Sequence, residues 1–178
     1  MAVKLVKPIN HKKVVKITNQ DFEAKMRELR VNSDIAVAVS GGPDSLALMH
    51  LSNRYALNNN INLTVLSIDH GIRAESSKEI VWLKKVAKKN KINFYSTKLK
   101  KKINSSNTLS KARTLRYEAL SKYCNKKKIK FLLTAHHLDD EIENFLMRLV
   151  RGSGIKGLSS LKVKSRYKNT KLILVRPL

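Results

Sequence analysis

Residues 40–45, Ser40-Gly41-Gly42-Pro43-Asp44-Ser45, place two adjacent glycines between two hydroxyls and beside a carboxylate. Adjacent glycines let backbone N–H groups approach an oxyanion closely, and the flanking hydroxyls add donors. Pro43 suits the first turn of a helix, whose positive end would face the same point. The chemistry such a run supports is the cradling of a phosphate-like anion. A tight turn capped by Ser40 or Asp44 is the plainer alternative. The run has neither the Gly-Lys-Ser/Thr of a Walker A loop nor the Gly-x-Gly-x-x-Gly of a dinucleotide fold, so kinase-like and NAD-binding readings both weaken.

Four other groups carry chemistry-bearing side chains. Asp69, His70 and Arg73 sit together in residues 68–76, either as a capped turn or as part of a binding wall. Arg113 and Arg116 lie three apart, on one face if the segment is helical, where they engage phosphate or face water. His136 and His137 lack the i, i+4 spacing of a helical zinc pair, and Asp139 and Asp140 follow at once. Both aspartates would complement a helix N-terminus, and Asp140 is also a candidate ligand or base. Arg151-Gly152-Ser153-Gly154, within a Gly-rich basic loop, is a candidate for admitting a substrate.

The elements that position these groups follow from periodicity. Thr18 or Asn19 can cap a short helix with Phe22, Met26 and Leu29 as its apolar stripe. Residues 34–39 (DIAVAV) form an unbroken small-apolar run, as in a strand buried on both faces, ending in the glycine run. From Pro43 a helix buries Leu48, Leu51 and Tyr55. Strands are then expected at 63–68, 93–97, 131–134 and 172–175, and helices at 76–89, 110–126 and 138–150. Strands alternating with helices of 10 to 15 residues predict an α/β fold with a doubly wound parallel sheet, whose ligands bind beyond the carboxyl ends of the strands. Of 13 acidic residues, Asp44, Asp69, Asp139, Asp140, Glu141 and Glu143 fall just after predicted strands, which concentrates scarce acids on that rim.

Composition bounds the partners. Lys plus Arg number 37 against 13 Asp plus Glu, a formal charge of +24, which favours a polyanionic partner. The 27 Lys, 10 Arg and 15 Asn also fit AT-rich coding bias, which accounts for part of the excess. Residues 84–102 hold nine lysines and no acid, read as a solvated helix face and loop rather than an RNA footprint. With 42% hydrophobic residues the chain can bury the core of one domain, which argues against a disordered polycation. A single cysteine, Cys124, excludes an internal disulfide and any Cys-x-x-Cys pair, as in a reducing compartment. Neither a signal peptide nor a run of ~20 apolar residues occurs, so the expectation is a cytoplasmic chain outside the membrane. Residues 144–178 hold nine basic residues and no acid, and the end at Pro177-Leu178, just past a predicted strand, reads as that of a piece of something longer.

The complete Ser-Gly-Gly-x-Asp-Ser signature at residues 40–45 resembles the PP-loop ATP pyrophosphatase superfamily. Residues 68–76, 112–117, 135–141 and 148–158 resemble, in order, the motifs of its tRNA(Ile)-lysidine synthetase family, over about residues 33–178. Glu141 and Asn144 depart from that family's usual Gln and Thr. The implied domains are a basic segment with a short helix at 1–32 and a PP-loop catalytic domain at 33–178, with the family's further tRNA-binding domains lying beyond. The implied reaction uses ATP and Mg²⁺ to adenylate the C2 oxygen of the wobble cytidine in the CAU anticodon of tRNA(Ile). Free L-lysine then attacks C2 and expels AMP, forming lysidine.

The resemblance implies that Ser40, Gly41, Gly42, Pro43, Asp44, Ser45, Asp69 and His70 hold the nucleotide. Asp44 and Asp140 would bind the metal and act in catalysis with Arg113. Arg73, Arg116, His137, Arg151, Gly152, Ser153 and Gly154 would contact tRNA or lysine. The nearest rivals within the superfamily are tRNA thiolases, disfavoured by the lack of a cysteine pair, and the ammonia-using synthetases of nucleotides; a non-catalytic RNA-binding module is the rival from another class. Oligomeric state is not legible.

Overall fold

The computed structural model describes residues 17–69, 75–98, 108–135 and 163–178. Helix α1 (Asn19–Glu28) starts at Thr18, whose side chain accepts from the Asp21 N–H while the Asp21 carboxylate accepts from the Thr18 N–H, a complete capping box. A 2.6 Å hydrogen bond from the Thr18 hydroxyl to the same carboxylate, and after it the one from the Thr18 N–H, hold the Asp21 carboxyl below its ordinary range. Strand β1 (Ile35–Ala38) leads to α2 (Pro43–Asn58), β2 (Leu63–Asp69), α3 (Glu75–Lys89), β3 (Asn93–Lys98), α4 (Thr108–Lys126) and β4 (Phe131–Thr134). Two short strands follow, β5 (Lys164–Arg166) and β6 (Ile173–Val175). The expected helix at 138–150 lies outside the described residues.

The six strands form one sheet in the order β3-β2-β1-β4-β6-β5. All neighbours run parallel except β5, which pairs antiparallel with β6. The purely parallel sheet read from the sequence therefore gains one antiparallel edge strand. Lys164-Ser165-Arg166 has no apolar alternation to announce it; it is placed by a turn in which Tyr167 N–H donates to the Leu172 carbonyl at 2.8 Å.

Right-handed crossovers explain the layers. The chain steps outward from β1 to β2 to β3 through α2 and α3, then returns across the sheet through α4 to reach β4 on the other side of β1. Helices α1, α2 and α3 accordingly share one core cluster, with Phe22, Met26, Leu48, Tyr55 and Leu83 packed on Ile35, Val37, Val65, Phe131 and Leu133. Phe22 and Met26 are fully buried, each worth about 1.5–3 kcal/mol, and fasten α1 to this face. Tyr55 closes the packing with a 2.6 Å hydrogen bond from its hydroxyl to the Val31 carbonyl. On the opposite face α4 sets Tyr117, Leu120 and Cys124 against Ala36, Leu66, Leu132 and Leu174.

The alternation in β1 has a consequence for binding. Its branched residues, Ile35 and Val37, point to α2, while Ala36 and Ala38 point to α4. The central strand thus carries its smallest side chains beneath α4. Chain reversal between β1 and β4 also makes their carboxyl ends the switch point where open α/β sheets bind ligands.

Candidate functional site

At that switch point lies a cavity of about 230 Å³. Its floor is one register row: Leu66 pairs with Ala38, and Ala38 with Thr134, on three adjacent strands. Ile68 extends the floor, Arg116, Tyr117 and Leu120 of α4 form one wall, and the turn from β1 into α2 contributes Ser40, Gly42, Asp44 and Ser45. The site is apolar below and polar along one side, the pattern of small-ligand pockets. Thr134 is 2% exposed, and among the described residues its hydroxyl has no hydrogen-bond partner.

The turn is held by its serines. Buried Ser45 donates its hydroxyl to the Gly42 carbonyl at 2.9 Å and accepts from the Ser40 N–H at 3.3 Å, with the two Oγ atoms 3.4 Å apart. Gly41 has φ +96°, a conformation that side chains disfavour. Gly42, at φ −70° and ψ 159°, is the N-cap of α2, and Pro43 opens its first turn. The plainer alternative, a turn capped by Ser40 or Asp44, loses ground: among the described residues no side-chain cap bond is made at this helix, because the chain enters it at Gly42 and Ser45 turns back to bond the loop. Among the described residues no side-chain cap bond closes the positive end of this 16-residue helix, which favours an anion there.

Two arginines add positive charge. The guanidinium carbons of Arg113 and Arg116 lie 5.9 and 5.7 Å from the centroid of the Tyr117 ring, which in turn stacks on Tyr167 at 6.0 Å. Burial lowers the pKa of Arg116, with Arg113 acting in the same direction and Tyr117 opposing it. Arginine nevertheless stays charged at neutral pH. Arg116 lines the cavity, whereas Arg113 sits one turn earlier along the same helix.

Of the residues singled out from sequence, the structure brings Ser40, Gly42, Asp44, Ser45 and Arg116 around one cavity, with Gly41 and Pro43 on the same turn. Asp69 is buried at the carboxyl end of β2, in register with Lys98 of β3. His70, Arg73, His136, His137, Asp139, Asp140, Arg151, Gly152, Ser153 and Gly154 lie outside the described residues. Sequence reasoning missed Tyr117, Leu120, Thr134 and Glu79. An ideal Cβ on Gly41 would lie 4.0 Å from Glu79 Oε2, so α3 brings a second carboxylate beside the turn. The missed floor had one signal, the all-alanine face of β1.

A family model described as the PP-loop domain matches residues 10–178. The chain belongs to the PP-loop domain family. This PP-loop domain is 48% identical over 146 residues to a tRNA(Ile)-lysidine synthase of Rickettsia bellii (strain OSU 85-389), a match covering 82% of this chain and 33% of that protein. With the tRNA(Ile)-lysidine synthase of Rickettsia typhi it shares 41% identity over 162 residues, 89% of this chain and 37% of the other. The chain therefore spans about a third of the length of the curated relatives it matches. Among solved structures, a U34-tRNA thiolase from Methanococcus maripaludis superimposes with a TM-score of 0.72 at 24% identity, covering 89% of this chain and 58% of that one, which supports the fold. Among the described residues no helix is long and apolar enough to cross a membrane.

Proposed function

We propose that this PP-loop domain carries out ATP-dependent ligation of lysine to the wobble cytidine of the CAU anticodon of tRNA(Ile). The observation that carries the reading is the uncapped PP-loop at the switch-point cavity, in a chain 48% identical to a protein named for that synthesis. The cytidine O2 attacks the α-phosphorus of ATP and pyrophosphate leaves. The amine of free lysine then attacks C2, loses a proton to a base, and AMP departs with the former O2. The turn from Ser40 to Ser45 holds the pyrophosphate portion against the positive end of α2, and Arg116 offsets phosphate charge from α4. The apolar floor formed by Leu66, Ala38 and Ile68 takes a flat, weakly polar part of the nucleotide.

Mg²⁺ accompanying a nucleotide needs only one or two protein carboxylates, the phosphates and water supplying the rest. Asp44 at the turn and Glu79 beside Gly41 fit that requirement, and among the described residues no cluster of three or more metal-ligating side chains argues for a different metal cage. Such an ion neutralises charge on the phosphates. Asp140, proposed as a further ligand and as the base, and Arg113, proposed as a catalytic cation, complete the set with Arg73, His137 and Arg151 to Gly154 as substrate contacts.

Thiolation is the weaker reading for this chain. Cys124, the only cysteine present, is buried between α4, which carries it, and the sheet, with its thiol pushed up by burial to about 12, so it offers no thiolate near neutral pH.

The test is incorporation of labelled lysine into an unmodified CAU-anticodon tRNA transcript with ATP and Mg²⁺. Asp44→Ala should abolish incorporation while salt-sensitive RNA binding persists. Undiminished incorporation by Asp44→Ala overturns the assigned site. Absence of incorporation even after the remainder of the Rickettsia bellii protein is appended overturns the reaction.

A further inference from the structure

Helix α3 buries Leu83 and Ala87 against the sheet and leaves Val81 and Trp82 exposed, at 56% and 48%. Lys78, Trp82, Lys85 and Lys89 recur at intervals of four, three and four, which aligns them in one stripe down the exposed face. Lys84 and Lys88 flank it. None of these lysines makes an ion pair or hydrogen bond with another described residue. The nearest acid on the helix, Glu79, is turned toward Gly41 of the PP-loop rather than into the stripe. That contact also fixes where the stripe begins: α3 starts beside the PP-loop, and Trp82 lies about 10 Å along the helix from its first residue. An indole left half in water among unpaired lysines is an unusual use of the chain's one tryptophan.

We propose that this face of α3 binds unpaired RNA, with Trp82 stacking on a base and Lys78, Lys85 and Lys89 holding the flanking phosphates. Stacking on an exposed aromatic requires a base outside a duplex, so the ligand is a loop or single strand rather than a paired stem. Placement beside the PP-loop assigns it the loop nucleotides next to the one that reacts, an assignment that rests on the tRNA reading above. The lysine excess in this region, taken from sequence as a solvated helix face, thereby acquires a ligand because the structure adds an exposed indole in its midst.

Because Trp82 is the only tryptophan, its fluorescence reports on this face alone. The experiment titrates the full chain with a CAU-anticodon stem-loop, and separately with a fully paired duplex, over a series of salt concentrations. The expected result is saturable quenching by the stem-loop and little by the duplex. Trp82→Ala should weaken stem-loop binding by about tenfold, with Trp82→Phe recovering most of the loss. Lys78→Ala, Lys85→Ala and Lys89→Ala combined should reduce the slope of log K against log salt by about 2. Unchanged emission with equal affinity in Trp82→Ala overturns the proposal. So does an emission shift produced by anionic lipid vesicles, or by raising the chain's own concentration, that RNA does not produce. Lysine incorporation at undiminished kcat/KM in Trp82→Ala with no quenching sinks this face while sparing the reaction. Quenching without incorporation by the extended protein does the reverse.

Discussion

Replacing Gly41 and Gly42 one at a time with alanine separates backbone strain from ligand access. At Gly41 the cost is conformational: φ is +96°, yet the nearest atom to an added Cβ is Glu79 Oε2 at 4.0 Å, so no clash accompanies the strain. Holding a non-glycine residue there costs about 1–2 kcal/mol, which for a domain of this size lowers the melting temperature by about 2–8 °C. At Gly42 the backbone, φ −70° and ψ 159°, suits any residue, and an added Cβ would meet Ser40 Oγ at an ordinary 3.8 Å. The loss of a good N-cap and the entropy removed from the unfolded chain oppose one another, each about 0.5 kcal/mol, so stability should hold within about 2 °C. That methyl nevertheless stands at the mouth of α2, where it holds phosphate oxygens off the backbone donors. Losing one or two charge-assisted hydrogen bonds of about 1.5–3 kcal/mol weakens ATP binding at least about tenfold. Thermal melts followed by circular dichroism, paired with calorimetric titration of Mg-ATP, read both quantities. A Gly42→Ala chain that melts lower than Gly41→Ala, or that binds ATP normally, refutes the placement of the anion at this helix end.

Three further expectations follow from buried polar groups. Thr134→Val removes a buried hydroxyl without a partner among the described residues, so it should raise the melting temperature by about 2–4 °C, corresponding to about 1 kcal/mol; an unchanged or lower value contradicts the orphan assignment. Tyr55→Phe deletes the 2.6 Å bond to the Val31 carbonyl and should cost about 1–2 kcal/mol in urea unfolding; a loss below a few tenths would mean that water replaces it. Cys124 has a folded-state pKa pushed by burial from near 9 to about 12. Its contribution to stability is therefore full below pH 9 and lost as pH rises toward 12, so the alkaline fall in melting temperature should flatten in Cys124→Ala. The native thiol should also resist a disulfide reagent at pH 8 until the chain unfolds, and rapid native-state labelling would contradict its placement.

Much of the fold was legible because its signals are local. Thr18, one of two candidate caps, Pro43 at a first turn, and the stripes of Phe22 and Met26 or Leu48 and Tyr55 rest on capping preference or on a period of 3.6, and all appear as read. Strand β5 was not, since Lys164-Ser165-Arg166 has no intrinsic preference; its neighbour fixes it, Arg176 N–H donating to the Val163 carbonyl at 2.8 Å. In the site, Ser40, Gly42, Asp44, Ser45 and Arg116 were visible as residue types that do chemistry. Tyr117 and Thr134 were not, because an aromatic in a helix and a threonine ending a strand are ordinary until the topology turns both toward Ala38. The cap at Gly42 was not legible for a related reason: Ser40 and Asp44 are favoured capping residues, but the loop uses the serines to bond itself.

The central claim is that the PP-loop at the switch point activates ATP at its α-phosphorus. Following α-labelled ATP in the presence of the CAU-anticodon transcript, lysine and Mg²⁺ tests it most directly. The account predicts labelled AMP, one for each lysine incorporated, released only when the transcript is present and lost in Asp44→Ala. Labelled ADP, or AMP formed without the transcript and unaffected by Asp44→Ala, would contradict it.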